Sequence, residues 1–276
     1  KEKLSREGTR IRVLQVVGSL SVGGLENKVL QLAKTINLDK FECLILSRDS
    51  QVKYDADIKR AKKRGAQIIF KLYRPKFWDG LSMGSLLKRA TLLLMKAMLL
   101  VRYAMVEYKL YRYISPDIIH YRGGGGLRYL AKKIVAKLSG VAIIITTYHS
   151  FPILTREDQI KKLGLRKARL YNWAEVFGFK YLDNVLVALT EEEKQAHITR
   201  GVPEKCIVVI PNGIDLPPFL ACPYGRQAAR AHIQDEALAA LNDSHNLTIG
   251  AVGRLDPVKG FHELIVAASR HNCRFG

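Results

Sequence analysis

The stretch Ile11-Arg12-Val13-Leu14-Gln15-Val16-Val17 decides the fold of this chain. It is a short run rich in β-branched residues that ends at Gly18, as a buried strand does. The segment Gly24–Thr35 follows, with apolar residues at helical spacing on one face. A strand, a glycine-containing turn and an amphipathic helix in this order predict the first β-α unit of an α/β fold.

The same alternation continues along the chain. We predict further strands at 41–47, 67–72, 117–121, 141–148, 184–188 and 206–210. Helices are predicted between them, at 54–64, 85–114, 127–138, 158–181 and 191–199. The strands are apolar enough to be buried on both faces, which is typical of parallel sheets covered by helices. The sequence therefore predicts a doubly wound parallel sheet.

A second region begins after the turn-rich segment 211–218, and we place the domain boundary between residues 215 and 216. In residues 216–276 we predict a strand at 247–252, a loop at 253–260 and a helix at 261–269. One β-α unit is too little to close a core of normal size. We expect either that a large C-terminal part is absent from this sequence or that the segment packs on the first domain.

The charge is unusual for an enzyme of 276 residues, because 45 basic side chains face 25 acidic ones and the net charge is +20. Residues 216–276 carry six basic and five acidic residues, so nearly all of the excess lies in residues 1–215. Such an excess favours an anionic partner: a nucleic acid, an acidic membrane surface or a phosphorylated substrate.

The four cysteines, Cys43, Cys206, Cys222 and Cys273, form no C-x-x-C pair and no zinc-ligand spacing. We expect free thiols in a reducing compartment and no bound metal. The first ten residues show no signal peptide. The apolar segment 91–105 is interrupted by Lys96 and Arg102, and it is too short to span a membrane.

Glycines and cations lie where strands are predicted to end. Gly18, Gly23 and Gly24 follow the first strand, where free amides at a helix N-terminus favour phosphate, although a tight turn explains them equally well. Their spacing is not G-x-G-x-x-G, which disfavours a nicotinamide or flavin cofactor. The run Arg122-Gly123-Gly124-Gly125-Gly126 follows a later strand and is either a flexible loop or a ligand-binding turn.

Three further side chains are candidates for substrate contacts. His149 follows the strand at 141–148 and is suited to hydrogen bonding a sugar hydroxyl or a phosphate, although a lone histidine is more often structural. Arg254 and Lys259 lie in a glycine-flanked loop, where they either neutralise a diphosphate or are solvated surface charges.

The helical region 86–114 carries six basic residues and one acid, Glu107, among apolar residues. A basic amphipathic helix of this kind either lies on an anionic membrane surface or packs on the sheet as an ordinary helix.

Several motifs resemble, in the same order along the chain, those of glycosyltransferase family 4. They are Val13-Leu14-Gln15-Val16-Val17-Gly18-Ser19-Leu20 with Gly23-Gly24-Leu25-Glu26, Pro116-Asp117-Ile118-Ile119-His120, Thr146-Thr147-Tyr148-His149, Val187-Ala188-Leu189-Thr190, Val209-Ile210-Pro211-Asn212-Gly213-Ile214-Asp215 and Gly253-Arg254-Leu255-Asp256-Pro257-Val258-Lys259-Gly260-Phe261. The last two are the most specific.

The resemblance implies a GT-B fold, in which two Rossmann-like domains face each other across a cleft. It implies transfer of a sugar from a nucleotide diphosphate sugar to a glycan or lipid-linked acceptor, with retention of configuration and without a metal. It also implies a role in cell-surface polysaccharide or lipopolysaccharide biosynthesis, in the cytoplasm or on the inner face of the membrane.

The resemblance further assigns roles to individual residues. It implies that His149 is the catalytic residue that contacts the transferred sugar. It implies that Gly23, Gly24, Arg254 and Lys259 bind the donor phosphates. The remaining candidates, for the acceptor, are His120, Arg122, Gly123 and Gly124.

Two departures from the family pattern limit these expectations. Arg122 lies where family members often have a second histidine, which leaves the acceptor contacts open. The family's later pair of glutamates is absent because the sequence ends first, so we expect weak or no transfer by residues 1–276 alone.

Three other classes of function remain as alternatives. One is an inactive, truncated relative that binds an acceptor or an anionic membrane. A nucleic-acid-binding protein is disfavoured because the chain has no helix-turn-helix, zinc finger or aromatic RNA-binding signature. An oxidoreductase is disfavoured by the glycine spacing.

Overall fold

A computed structural model describes residues 9–18, 20, 24–47, 55–70, 86–123, 126–149, 160–161, 164–213, 249, 251–253 and 259–269. The chain divides into two compact units, Lys1–Asn212 and Gly213–Gly276. That the second unit is the incomplete start of a donor-binding domain stays a prediction.

The first unit is built on a seven-stranded sheet. Its strands are β1 (Ile11–Val17), β2 (Phe41–Ser47), β3 (Gln67–Phe70), β4 (Ile118–Arg122), β5 (Ile143–Thr147), β6 (Val185–Ala188) and β7 (Ile207–Val209). Every neighbouring pair is parallel, and the order across the sheet is β3-β2-β1-β4-β5-β6-β7. This confirms the predicted doubly wound parallel sheet.

Helices connect the strands. They are α1 (Gly24–Thr35), α2 (Asp55–Lys63), α3 (Leu86–Ile114), α4 (Gly126–Leu138), α5 (Leu165–Tyr181) and α6 (Glu191–Thr199), and a 3-10 helix at Glu204–Cys206 precedes β7. The second unit contains α7 (Phe261–Ser269). The chain order of the strands reverses between β1 and β4, which is where open α/β sheets form a ligand-binding crevice.

The core lies on both faces of the sheet because successive strand residues point to opposite sides. On one face, Val29 and Leu30 of α1 pack with Cys43 and Ile45 of β2. On the other face, α3 and α4 pack over a cluster that includes Leu14, Leu44 and Ile119. β1 is enclosed from both sides, which explains why its sequence is almost continuously apolar.

The predicted helix at 158–181 is interrupted. Gly164 has a φ of 81°, in the left-handed region that favours glycine, and α5 begins only after it. Residues 160–161 are helical, and the rest of the predicted first turn lies outside the described residues.

The predicted strand at 247–252 is not seen where it can be checked, because residues 249, 251 and 252 are described and lie in no strand. The remaining residues of that prediction lie outside the described part of the chain.

No helix within the described ranges combines the length and the apolar character needed to cross a bilayer.

A buried ion pair stabilises the amino edge of the sheet, the edge at which the parallel strands begin. Arg12 of β1 is 0% exposed, and its Nε donates to Oε2 of Glu42 in β2 at 2.7 Å. Another guanidinium nitrogen donates to the backbone oxygen of Ile114, at the end of α3, at 2.5 Å. The backbone N–H of Arg12 donates to Asp117 just before β4 at 2.8 Å. One residue therefore fixes β2, α3 and β4 against β1.

Replacing Arg12 by Met should lower the free energy of unfolding by about 3–5 kcal/mol, because it leaves the Glu42 carboxylate buried without a cation. The double variant R12M/E42L should lose less free energy of unfolding than R12M alone, because it leaves no buried charge without a partner. Urea denaturation followed by circular dichroism measures both. Lys194→Met, which breaks a surface pair with Glu204, whose side chain is 66% exposed, is the control and should change stability little. A double variant as unstable as R12M, or more unstable, would contradict this role.

Candidate functional site

The strand register brings the polar candidates to one edge of the sheet. Val16 of β1 lies beside Tyr121 of β4, and Arg122 lies beside Thr147 of β5. The carboxyl ends of β1, β4 and β5 therefore meet. Because side chains alternate along a strand, His120 and Arg122 share the face of Thr147, and His149 continues this face beyond the end of β5.

His120 is held within this edge by a hydrogen bond. Its Nε2 lies 2.7 Å from the hydroxyl oxygen of Thr147. The pKa of His120 is lowered to about 3, chiefly by burial and in addition by the nearby Arg122 guanidinium and the His149 ring. The ring is therefore neutral at physiological pH and offers one donor and one acceptor.

His149 follows β5 and is half-buried. Burial lowers its pKa to about 4, and the Arg122 guanidinium acts in the same direction. Its Nε2 atom is buried and has no hydrogen-bond partner among the described residues. A buried ring nitrogen without a partner is costly, and a ligand hydroxyl or phosphate would satisfy it.

Arg122 is the buried cation of the site. Only 9% of the residue is exposed, and its Nε donates to Oε1 of Gln15 in β1 at 3.3 Å. Burial lowers the pKa of Arg122 to about 10, so the guanidinium remains charged at neutral pH. Its charge also lowers the pKa of Cys43 in β2, although burial dominates there and raises that pKa to about 11.

The glycine-rich loops approach each other at the same edge. Gly123 has a φ of 72°, and its N–H donates to the backbone oxygen of Thr147 at 2.9 Å. A β-carbon at Gly123 would lie 3.6 Å from the side chain of Leu25, in the first turn of α1. Gly24 begins that helix, so the N-terminus of α1 lies beside the loop after β4.

The structure does not place every predicted site residue. Gly23, Gly124 and Arg254 lie outside the described residues. Lys259 is described and exposed, but it belongs to the second unit. The grouping seen in the structure is therefore His120, Arg122, Gly123 and His149, with Gly24 near them.

A polar network lies behind His149. The hydroxyl of Tyr148 donates to Oε2 of Glu175 in α5 at 3.3 Å. The guanidinium of Arg200, just after α6, donates to the same oxygen at 2.5 Å. These contacts fix the residue next to His149 to two helices.

Sequence reasoning missed two residues that support the site. Gln15 bonds Arg122, and Thr147 bonds His120. The signal for Gln15 was present, because a polar side chain in the middle of a strand buried on both faces needs a polar partner.

Within the described part of the chain, no three histidine, cysteine, aspartate or glutamate side chains lie close enough together to hold a metal ion. Transfer without a metal stays a prediction.

Comparison with known sequences identifies the family of the chain. A family model described as Glycosyltransferase Family 4 matches residues 22–217. A curated relative, the UDP-Gal:alpha-D-GlcNAc-diphosphoundecaprenol alpha-1,3-galactosyltransferase of Escherichia coli, is 29% identical over 153 residues. The match covers 55% of this chain and 35% of that protein, so the chain spans about a third of the length of this relative.

Solved structures resemble the chain in fold. HepE of Anabaena in complex with UDP-glucose has a TM-score of 0.55 at 16% identity, over 95% of this chain and 58% of that one. A glycosyltransferase from Rickettsia africae has a TM-score of 0.54 at 18% identity, and the match covers 96% of this chain and 58% of that one. These likenesses support the predicted GT-B class of fold.

The neutral histidines predict a specific pH dependence. An unfolded histidine binds a proton below about pH 6.5, whereas folded His120 binds one only near pH 3. His120 therefore contributes stability that is fully present above about pH 6.5 and is lost as the pH falls toward 3. His149 acts in the same direction, with a pKa near 4.

Between pH 6.5 and pH 5, the free energy of unfolding should fall by about 1.6 kcal/mol less in His120→Gln than in the wild type. Urea denaturation at a series of pH values measures this, and NMR of the imidazole carbons follows the two rings directly. Ring titration near pH 6.5 in the folded protein would contradict the buried, neutral site.

Proposed function

Because this chain belongs to glycosyltransferase family 4, we propose that the protein transfers a sugar from a nucleotide diphosphate sugar to a glycan or lipid-linked acceptor. The observation that carries this proposal is the cluster of His120, Arg122 and His149 at the carboxyl edge of the sheet, where His149 has a buried ring nitrogen without a described partner. The Escherichia coli relative acts, by its name, on a diphosphoundecaprenol acceptor and a UDP-galactose donor.

The chemistry requires that the bond between the sugar and the donor diphosphate breaks while an acceptor hydroxyl bonds to the same carbon. Negative charge develops on the leaving diphosphate, and fixed donors or cations stabilise it. We assign this role to Arg254 and Lys259 together with the amides near Gly23 and Gly24. The proton of the acceptor hydroxyl leaves with the departing phosphate, and the anomeric configuration is retained.

The histidines contribute hydrogen bonds rather than charge. His149 is neutral above about pH 5, since its pKa lies near 4. Its Nε2, which has no partner in the described part of the chain, is available to a hydroxyl of the transferred sugar. We place the acceptor against His120, Arg122, Gly123 and Gly124. The acceptor chemistry of the Escherichia coli relative supports a place in cell-surface polysaccharide or lipopolysaccharide biosynthesis.

Transfer should be tested on the full protein with UDP-sugars and short-chain lipid diphosphate acceptors bearing one sugar. His149→Ala should lower kcat/KM at least about tenfold, because it removes the hydrogen bond that the buried Nε2 makes to the substrate. Arg64→Gln is the control, since Arg64 is exposed and lies just after α2, at the opposite edge of the sheet. Activity that is absent with every donor, or equal in His149→Ala and the wild type, would contradict the proposal.

We also propose that the protein contacts an anionic membrane surface. α4 packs against both α3 and α5, and α3, α4 and α5 pack over one face of the sheet. Among their described side chains, the two acids, Glu107 and Glu175, are buried. The exposed charged residues are all basic: Arg102, Lys109, Arg112, Arg128, Arg166, Lys167, Arg169 and Lys180.

Aromatic side chains add an apolar component on α5. Trp173 and Tyr181 are 54% and 60% exposed, and Phe177 lies between them with ring centroids 5.4 and 4.9 Å away. Residues four apart lie on one face of a helix. Aromatic rings beside basic residues are typical of helices that lie in the membrane interface.

Sedimentation with vesicles tests this surface. The protein should bind phosphatidylglycerol vesicles more tightly than phosphatidylcholine vesicles, because each basic residue near an anionic surface contributes about 1 kcal/mol. The double variant R166Q/R169Q should weaken binding about tenfold or more, and Trp173→Ser should weaken it as well. Arg64→Gln again serves as the control. Equal binding to both lipids would contradict an anionic membrane partner.

A further inference from the structure

Arg122 differs from the other buried cations that the structure describes in the first unit. Arg12, Lys133 and Arg200 each contact a buried carboxylate, those of Glu42, Asp183 and Glu175, at 2.7, 2.7 and 2.5 Å. For Arg122 the described polar contact is the neutral amide of Gln15. No described carboxylate forms an ion pair with it.

The groups that face Arg122 supply no negative charge. His120 and His149 are neutral at physiological pH, and their pKa values are lowered partly by Arg122 itself. Cys43, on β2, stays a thiol because burial raises its pKa. From β1 the facing polar group is Gln15, whose Nε2 is buried without a described partner. The described surroundings are thus neutral on every strand that approaches the guanidinium.

A buried charge is costly unless it is paired and hydrogen-bonded. A guanidinium has five N–H donors, and the bond to Gln15 engages one of them. The others match the paired oxygens of a phosphate, which guanidinium groups bind in a bidentate manner. The unpartnered Nε2 of His149 lies at the same edge and offers a further contact.

We propose that Arg122 is a phosphate-binding residue: its guanidinium binds a substrate phosphate on the first unit, beside His149. The inference rests on the proposed function, which supplies two sources of this chemistry. One is the diphosphate of the nucleotide donor, and the other is a diphosphate on a lipid-linked acceptor. Both present the same paired oxygens to the guanidinium.

The proposal has a signature that a structural role would not show. If Arg122 is retained for a ligand, the unliganded protein gains nothing from its charge, and an apolar side chain of similar length should be tolerated. Arg122→Met should therefore leave Tm unchanged or raise it. Arg12→Met, which breaks a complete ion pair, should lower Tm.

Binding is measured by isothermal titration calorimetry of the full protein at one fixed ionic strength, with UDP and geranyl diphosphate as separate probes. Arg122→Met should weaken binding of at least one probe by about ten- to a hundredfold, the loss of charge-assisted hydrogen bonds. Arg122→Lys keeps the positive charge but lacks the planar guanidinium that donates two parallel hydrogen bonds. It should therefore weaken probe binding less than Arg122→Met does. Arg64→Gln, which also removes one exposed arginine charge, should stay within about twofold of the wild type.

Each outcome supports or overturns the assignment of Arg122 to a substrate phosphate. A loss with UDP assigns the site to the donor phosphate, and a loss with geranyl diphosphate assigns it to the acceptor. Affinities unchanged in Arg122→Met for both probes would overturn the proposal, as would a fall in Tm like that of Arg12→Met. If Arg122→Met weakens binding but the protein transfers no sugar, the proposed function is rejected and the phosphate site stands. If the protein transfers sugar but Arg122→Met binds both probes normally, the phosphate site is rejected and the proposed function stands.

Discussion

The parallel hydrogen-bonded register of β1 between β2 and β4 is the constraint on which the rest of the first unit depends. It encloses β1 between helices on both faces, so a polar group in that strand needs a partner in the protein or in a ligand. It also sets the two edges of the sheet, with Arg12 near one edge of β1 and Gly18 beyond the other. The carboxyl edge, where the chain order reverses between β1 and β4, is the position at which a crevice forms.

Two buried arginines mark the different roles of these edges. Arg12, at the amino edge, contacts the carboxylate of Glu42 and a backbone oxygen, and it joins β1 to β2 and α3. Arg122, at the carboxyl edge, contacts a neutral amide and lies near neutral histidines. A paired buried charge stabilises a fold when both partners are present, whereas an unpaired one is retained at a cost. The same side-chain type thus serves the fold at one edge and a ligand at the other.

The sequence predicted the fold well because hydrophobic periodicity determines a buried parallel sheet, and the helices Gly24–Thr35, Glu191–Thr199 and Phe261–Ser269 were predicted to the residue. The predicted helix at 158–181 was wrong at Gly164, because the left-handed backbone of this glycine precedes the start of α5 and hydrophobic periodicity does not reveal it. His120, Arg122 and His149 were identified because each follows or ends a predicted strand. Gln15 and Thr147 were missed as site residues because their role depends on the register between strands, which a single sequence does not specify.

The most direct measurement is a crystal structure of the full protein with UDP and a sugar-bearing lipid diphosphate analogue bound. We predict ligand density within hydrogen-bond distance of the Arg122 guanidinium or of Nε2 of His149, at the carboxyl edge of β4 and β5. Ligands found only elsewhere would contradict it. One such place is the cavity of about 180 Å³ at the amino edge, lined by residues that include Ser115, Asp117 and Gly140.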